Sequence, residues 1–354
     1  MVSGDWFDTL IANWLPQNTV ALTTHLMTSP FLYVGLDVGG SSMKAGVVDD
    51  DGRPMSSVSL PTEAARGQEF GLERMCETIR HAIADAGVGK EQIAAIGVAT
   101  PGTMDIPGGI ILDPPNLKPW RNVPVRQYVQ DVFNVPTAFQ NDANAAAFGE
   151  FWVGAGRDAH SMVLFTLGTG VGGGIVIGDM VVEGEHSHGA ELGHMKIEMT
   201  NPRQCGCGRW GCLEAYASAT AVVKRAHEAL ANFSGQSALA AALRKQGEIT
   251  AKDIFSIAAS GDPLAERLVE DTALYLAVGA MNAMHTIDPD MIVFGGGMIA
   301  AGESFLDRIR WHVKRLAFPV PAQKTQIRYA QLESDAGFIG AAACARQLYK
   351  KTQR

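Results

Sequence analysis

Apolar residues in this chain fall into short runs closed by glycine or polar turns. Phe31–Leu36 is one such run, closed by Asp37-Val38-Gly39-Gly40, and predicts a buried strand entering a tight turn. Met43–Val48 predicts a second strand, Asp50-Asp51-Gly52 a hairpin turn, and Ser56–Leu60 a third strand. From about Phe70 to Ala86 the period changes. Leu72, Met75, Ile79 and Ile83 recur at a spacing of three or four, which marks one face of a helix. Ile93–Ala99 is again an apolar strand, ended by Thr100-Pro101-Gly102. A second series follows: Thr137–Gln140, the Ala-rich helix Ala143–Phe151, the strand Met162–Leu167, the glycine loop Gly168–Gly174 and the strand Ile175–Ile177. A Pro/Gly/Cys-rich stretch covers 184–213, and mostly helical sequence runs from about 214 to 285. Met291–Phe294 is a strand before Gly295-Gly296-Gly297, and Gly340–Leu348 is an Ala-rich helix.

A strand–strand–strand–helix–strand block thus stands near the start, and a similar block begins near residue 160. The pattern predicts an α/β protein of two α/β domains around a central cleft, covering 31–138 and 139–335, with a C-terminal helix over 336–354. The 354 residues, 47% apolar and 19% charged, are enough for about two cores. Residues 1–30 match nothing downstream and contain no Lys or Arg, so they read as neither a signal peptide nor a transit peptide. Met27, just before the first strand, is an alternative start.

Charge removes some functions. The net charge of −8 offers no general counterion release on a phosphate backbone, so nucleic acid is not an expected partner. No apolar run reaches the ~18 residues of a membrane span, so no membrane partner is expected either. Five cysteines are too few for a disulfide scaffold, and a reducing cytoplasm is the expected compartment.

The glycine and cysteine clusters carry the chemistry. In Asp37-Val38-Gly39-Gly40-Ser41-Ser42-Met43-Lys44, a turn poor in Cβ atoms lets backbone N–H groups approach a phosphate. Hydroxyls add donors there and Lys44 adds a point charge. An ordinary hairpin explains the same residues. Gly168-Thr169-Gly170-Val171-Gly172-Gly173-Gly174 satisfies G-x-G-x-x-G, but a strand follows it where a dinucleotide site needs a helix. It is kept as a glycine hairpin close to phosphates. Cys205, Cys207 and Cys212 have the C-x-C-x4-C spacing of a structural zinc site, and the histidines nearby are His186, His188 and His194. Asp142 follows Asn141 at a strand-to-helix junction. It reads either as a helix cap or as a general base at the mouth of the cleft. Glu191-Leu192-Gly193-His194 and Glu214 offer acidic and imidazole partners for the hydroxyls of a polyol.

Taken together, these segments resemble the ROK family of sugar kinases and repressors over about residues 31–350. Pro101-Gly102 and the Asn116-Leu117…Trp120 loop belong to the same ordered set. The resemblance implies an actin-like ATPase (ribonuclease H-like) fold. It implies ATP bound by Asp37, Gly39, Gly40, Ser41, Ser42, Lys44, Thr169, Gly170, Gly295 and Gly296, together with Mg2+. It assigns Asp142 as catalytic base, and Asn116, Asn141, Asp142, Glu191, His194 and Glu214 as sugar contacts. It also assigns structural Zn2+ to His194, Cys205, Cys207 and Cys212. Gly189-Ala190 reverses the family's usual Ala-Gly order and retains small residues. The implied reaction is transfer of the γ-phosphoryl of ATP to the 6-hydroxyl of a hexose, with glucose the expected partner, in a homodimer. N-acetylmannosamine or N-acetylglucosamine as substrate, and polyphosphate as donor, stay open. A sugar-responsive repressor is the alternative of another class, against which stands the lack of basic residues in 1–30.

Overall fold

The computed structural model describes residues 31–353; the extension expected over 1–30, with its alternative start Met27, lies outside the described residues. β1 (Leu32–Val38), β2 (Ser42–Val48) and β3 (Val58–Pro61) form an antiparallel meander. β4 (Ile93–Thr100) lies parallel to β1; the short hairpin β5 (Thr103–Asp105) and β6 (Ile110–Asp113) follows, and β7 (Thr137–Asn141) lies parallel to β4. The sheet order is β3-β2-β1-β4-β7. The second half repeats the plan. β8 (Ser161–Leu167), β9 (Val171–Ile177) and β10 (Met180–Val181) are antiparallel, and β11 (Met291–Gly295) and β12 (Gln326–Tyr329) join parallel to β8. That order is β10-β9-β8-β11-β12. The repeated block in the hydrophobic pattern is therefore a repeated topology, and this duplicated ribonuclease H-like sheet is the actin-like architecture.

Alternation along each strand feeds two layers. In β8, Val163, Phe165 and Leu167 enter the core beneath the helices Ala219–Ala231, Ala251–Ala259, Pro263–Ile287 and Glu303–Leu316. Met162 and Leu164 face the opposite side, against Ala147 and Phe148 of the helix Asp142–Val153. The first sheet is covered on one face by the helix Gln68–Asp85. Its other face meets the C-terminal helix Ala336–Thr352, whose Phe338, Ile339, Ala342 and Ala345 pack on Tyr33, Val48 and Ala95.

The C-terminal helix also crosses the helix Asp142–Val153, and small residues permit it. A Cβ on Gly340 would overlap the carbonyl of Ala145, and one on Gly97 would overlap the carbonyl of Ala341. Ala99, Ala145 and Ala341 close the crossing in a small cluster of their own. Two sheets therefore share a middle layer of two helices, and the cleft opens above their N-terminal ends.

The glycine loop expected over 168–174 needs correction. Only Gly168-Thr169-Gly170 is a turn, and β9 already starts at Val171. Packing explains its later glycines. A Cβ on Gly174 would collide with Ala147, and one on Gly173 would lie 2.5 Å from Leu192 Cγ. The third strand also starts two residues later than expected, at Val58.

Candidate active site

Asn141 ends β7 and is the N-cap of the next helix, its Oδ1 accepting the N–H groups of Ala143 at 2.9 Å and Asn144 at 3.2 Å. Capping is thus the task of Asn141, and Asp142 occupies the first helical position. One carboxylate oxygen of Asp142 accepts the Ala143 N–H at 2.8 Å; the other makes no hydrogen bond among the described residues. Burial pushes the Asp142 carboxyl up to about 6, opposed by the Ala143 N–H and reinforced by the charge of Glu191. Asp37, near the end of β1, is pushed up to about 7 by burial and by the carboxylate of Asp142, while Lys44 acts in the other direction. The two carboxylates, 105 residues apart in the chain (142 − 37), thus face one site.

The turn between β1 and β2 closes through the Gly39 N–H on the Ser42 carbonyl at 2.8 Å. Thr62 fastens it, donating its hydroxyl to the Gly39 carbonyl at 2.6 Å. Gly40, Ser41 and Ser42 stand exposed on it, and Asn116 packs over Gly40 from the short helical turn Pro115–Leu117. The hairpin reading and the anion-cradle reading therefore describe the same turn. Lys44, close enough to act on Asp37, has partners of its own. Its ammonium is bound by Asp335 and by the hydroxyl of Ser334 at 3.1 Å, at the start of the C-terminal helix. In this structure Lys44 thereby links β2 to the middle layer.

Across the cleft, Glu214 begins a short helix and reaches back to the glycine turn, where its Oε2 accepts the Val171 N–H at 3.0 Å beside Gly170. Its Oε1 lies 3.2 Å from Cys205 Sγ. His194 joins the two expectations made for it through separate nitrogens. Nδ1 faces Cys205 Sγ at 3.8 Å, and Nε2 faces Glu191 Oε2 at 3.9 Å.

The ligand atoms of His194, Cys205, Cys207 and Cys212 all lie within 4.8 Å of one another. Cys207 and Cys212 are 3.8 Å apart at sulfur. Two sulfurs on a tetrahedral zinc at ~2.3 Å are separated by about 3.8 Å, so the set fits that ion. Lys196 sits 2.8 Å from Cys212 Sγ, where it would offset the net negative charge of three thiolates on a bound dication.

Beside the glycine turn lies a cavity of about 510 Å³ lined by Gly168, Thr169, Lys252, Phe255, Ser256, Gly297 and Met298, among others. Of the expected nucleotide residues, Thr169 lines it. Gly295 is buried inside β11, and Gly296 backs onto the Leu167 carbonyl. Gly297 is the glycine on the wall. Phe255 and Lys252 went unseen in the sequence; the capping box of Thr250 and Asp253 that opens their helix was the available signal.

Comparison with known proteins agrees with this geometry. A match to the ROK family covers residues 33–348. The chain belongs to the ROK family. The glucokinase of Halalkalibacterium halodurans is 35% identical over 308 residues, which is 87% of this chain and 93% of that protein. The crystal structure of a ROK hexokinase from Thermus thermophilus superposes with a TM-score of 0.78 at 34% identity, covering 90% of this chain and 99% of the other. A ROK family glucokinase from Streptomyces griseus, solved with glucose and AMPPNP, gives 0.73 at 34% identity over 89% of this chain and 99% of its own. In this ROK protein, then, two carboxylates with raised pKa, a glycine turn with a cavity beside it and a His/Cys3 group make up the candidate site. Among its described residues no helix is long and apolar enough to cross a membrane.

Proposed function

We propose that this ROK protein is an ATP-dependent glucokinase, transferring the γ-phosphoryl group to the 6-hydroxyl of glucose with Asp142 as general base. The observation that carries the reading is the placement of a half-buried carboxylate, freed from capping by Asn141, between the Asp37 turn and the Glu191–His194 wall. Glucokinases 34–35% identical over most of the chain, and a glucose–AMPPNP complex among the similar structures, support the substrate and donor.

Phosphoryl transfer passes through a loose transition state, so the protein contributes positioning and charge neutralisation. Asn116, Asn141, Glu191, His194 and Glu214 would hold the sugar. Asp142 would accept the 6-hydroxyl proton as the phosphoryl group arrives, an effect typically worth ~10²–10⁴-fold. Gly39, Gly40, Ser41, Ser42, Thr169 and Gly170 would surround the phosphates, and the cavity beside Phe255 would take the nucleoside. Mg2+, when bound, would supply neutralisation of the phosphate oxygens, and Asp37 beside the glycine turn is the carboxylate available to it, which leaves Asp142 free as base. Zinc on His194, Cys205, Cys207 and Cys212 would have no open position and would hold the 184–214 loop in shape.

The remaining assignments belong to the same proposal. Two domains joined by the helix 336–354 suit the packing of that helix on the first sheet, with the limit set after Asn141 rather than at 138/139, because β7 pairs with β4 as far as Asn141. A reducing compartment suits three ligand thiols. Exposed Trp311, Phe318 and Val320 suit a homodimer contact, which sedimentation velocity reads. The deciding experiment is a coupled phosphorylation assay crossing glucose, N-acetylmannosamine, N-acetylglucosamine, mannose and fructose with ATP and polyphosphate. Glucose with ATP is expected to give the highest kcat/KM; a higher value for an N-acetylhexosamine overturns the substrate, and no turnover with any pair overturns the kinase.

A further inference from the structure

Gln140 is buried, and both ends of its amide are in use. Its Oε1 accepts the backbone N–H of Asn141 at 2.8 Å and the Nδ2 of Asn144 at 3.3 Å. Its Nε2 donates to Glu183 Oε1 at 2.7 Å. Chemistry fixes that orientation: a backbone N–H only donates, so the oxygen faces it, and an ionised carboxylate only accepts, so the amide nitrogen faces Glu183.

These contacts join two halves of the molecule. Gln140 lies in β7 of the first sheet, two residues before Asp142. Glu183 follows β10 of the second sheet and opens a loop closed by the Gly189 N–H on the Glu183 carbonyl at 2.7 Å. Ser187 of that loop accepts the Ile106 N–H at 2.9 Å, a second attachment to the first half. Two residues beyond Gly189 the chain reaches Glu191, and His194 soon after. The guanidinium of Arg126 lies close enough to influence Glu183 but is bound to the carbonyls of Pro107 and Ile106. The direct side-chain partner of Glu183 is Gln140.

We infer that Gln140 is a positioning residue: through Glu183 it ties the strand end carrying Asp142 to the loop carrying the sugar-binding wall. The inference rests on the kinase reading of the site. It requires a group at 140 that accepts from Asn141 while donating to Glu183, and the amide of Gln140 does both through separate atoms. Gln140→Glu keeps the acceptor but sets a buried carboxylate against the half-buried one of Glu183. Adding Glu183→Gln reverses the bridge, because the new amide donates to the new carboxylate.

Four proteins test this in an ATP-coupled glucose assay with parallel thermal melts: the native chain, Gln140→Glu, Glu183→Gln and the double variant. Gln140→Glu is expected to lower kcat by about 10²-fold, the effect of a small misplacement of a reacting group, with the glucose KM little changed. Glu183→Gln keeps a neutral hydrogen bond and loses little. The double variant should recover the kcat of Glu183→Gln. A double variant that regains its melting temperature but not its kcat makes the bridge purely structural and overturns the inference. Equal kcat for the native chain and Gln140→Glu overturns it as well. A native chain with no hexose turnover removes the kinase reading, and the inference falls with it; failed rescue beside an active native chain removes the inference alone.

Discussion

A carboxylate at the first position of a helix normally serves the helix it begins. Here Asn141 takes the cap, and Asp142 keeps one oxygen for the cleft. Burial and Glu191 raise its pKa to about 6, so the base is lost as pH falls through that value. The kcat/KM for glucose, which reports the free enzyme, should therefore show an acid limb near pH 6, and Glu191→Gln should move it to lower pH by removing a like charge. A pH-independent kcat/KM between 5 and 7 would contradict the assignment. Asp37 gives a second test with the opposite sign from an ordinary acidic residue. Its folded pKa is raised to about 7 from 3.8, so the native state binds the extra proton between those values. Stability therefore declines as pH rises through that window. Asp37→Asn should melt higher than the native chain at pH 8, with the gap closing toward pH 4, while losing turnover. Melting curves without nucleotide read the sign directly.

At the level of elements, two helices made of small residues carry the junction. A Cβ on Gly340 would sit inside the Ala145 carbonyl, so Gly340→Val should destabilise by ~1–3 kcal/mol or more, read by chemical denaturation. Glu150 holds the same junction from within. Fully buried, its carboxylate accepts N–H groups from Ala155, Gln331 and Leu332 at 2.7–3.1 Å. The Pro/Gly/Cys stretch makes a separate prediction: Cys207→Ser should lower zinc content by metal analysis and raise the glucose KM, because the loop that carries Glu191 and His194 loses its anchor. Full zinc with unchanged KM would contradict that. Much of this level is legible in the sequence. Apolar runs located most of the core strands, and the cysteine spacing marked the metal group, since both depend on local pattern. What escaped depends on tertiary contact. β12 has only Ile327 and Tyr329 to signal an edge strand, and Gly172–Gly174 look like a loop until the helix packed on Gly172 and Gly174, and Leu192 packed on Gly173, are known. The partner of Lys44, Asp335, lies 291 residues away, so no local pattern reveals that pair.

For the molecule as a whole, duplication of one sheet topology sets an active site above the N-terminal ends of the middle-layer helices, between two halves. Glucose should draw them together, since the phosphoryl group must be kept from water. Small-angle scattering is expected to show a smaller radius of gyration with glucose than without; an unchanged radius would contradict closure. The central claim, however, concerns one carboxylate. The most direct measurement is the kcat of Asp142→Asn with glucose and ATP, taken together with calorimetric titration of glucose into the same variant. A loss of ~10²–10⁴-fold or more in kcat with glucose binding retained is the predicted result. Turnover close to the native rate would contradict it.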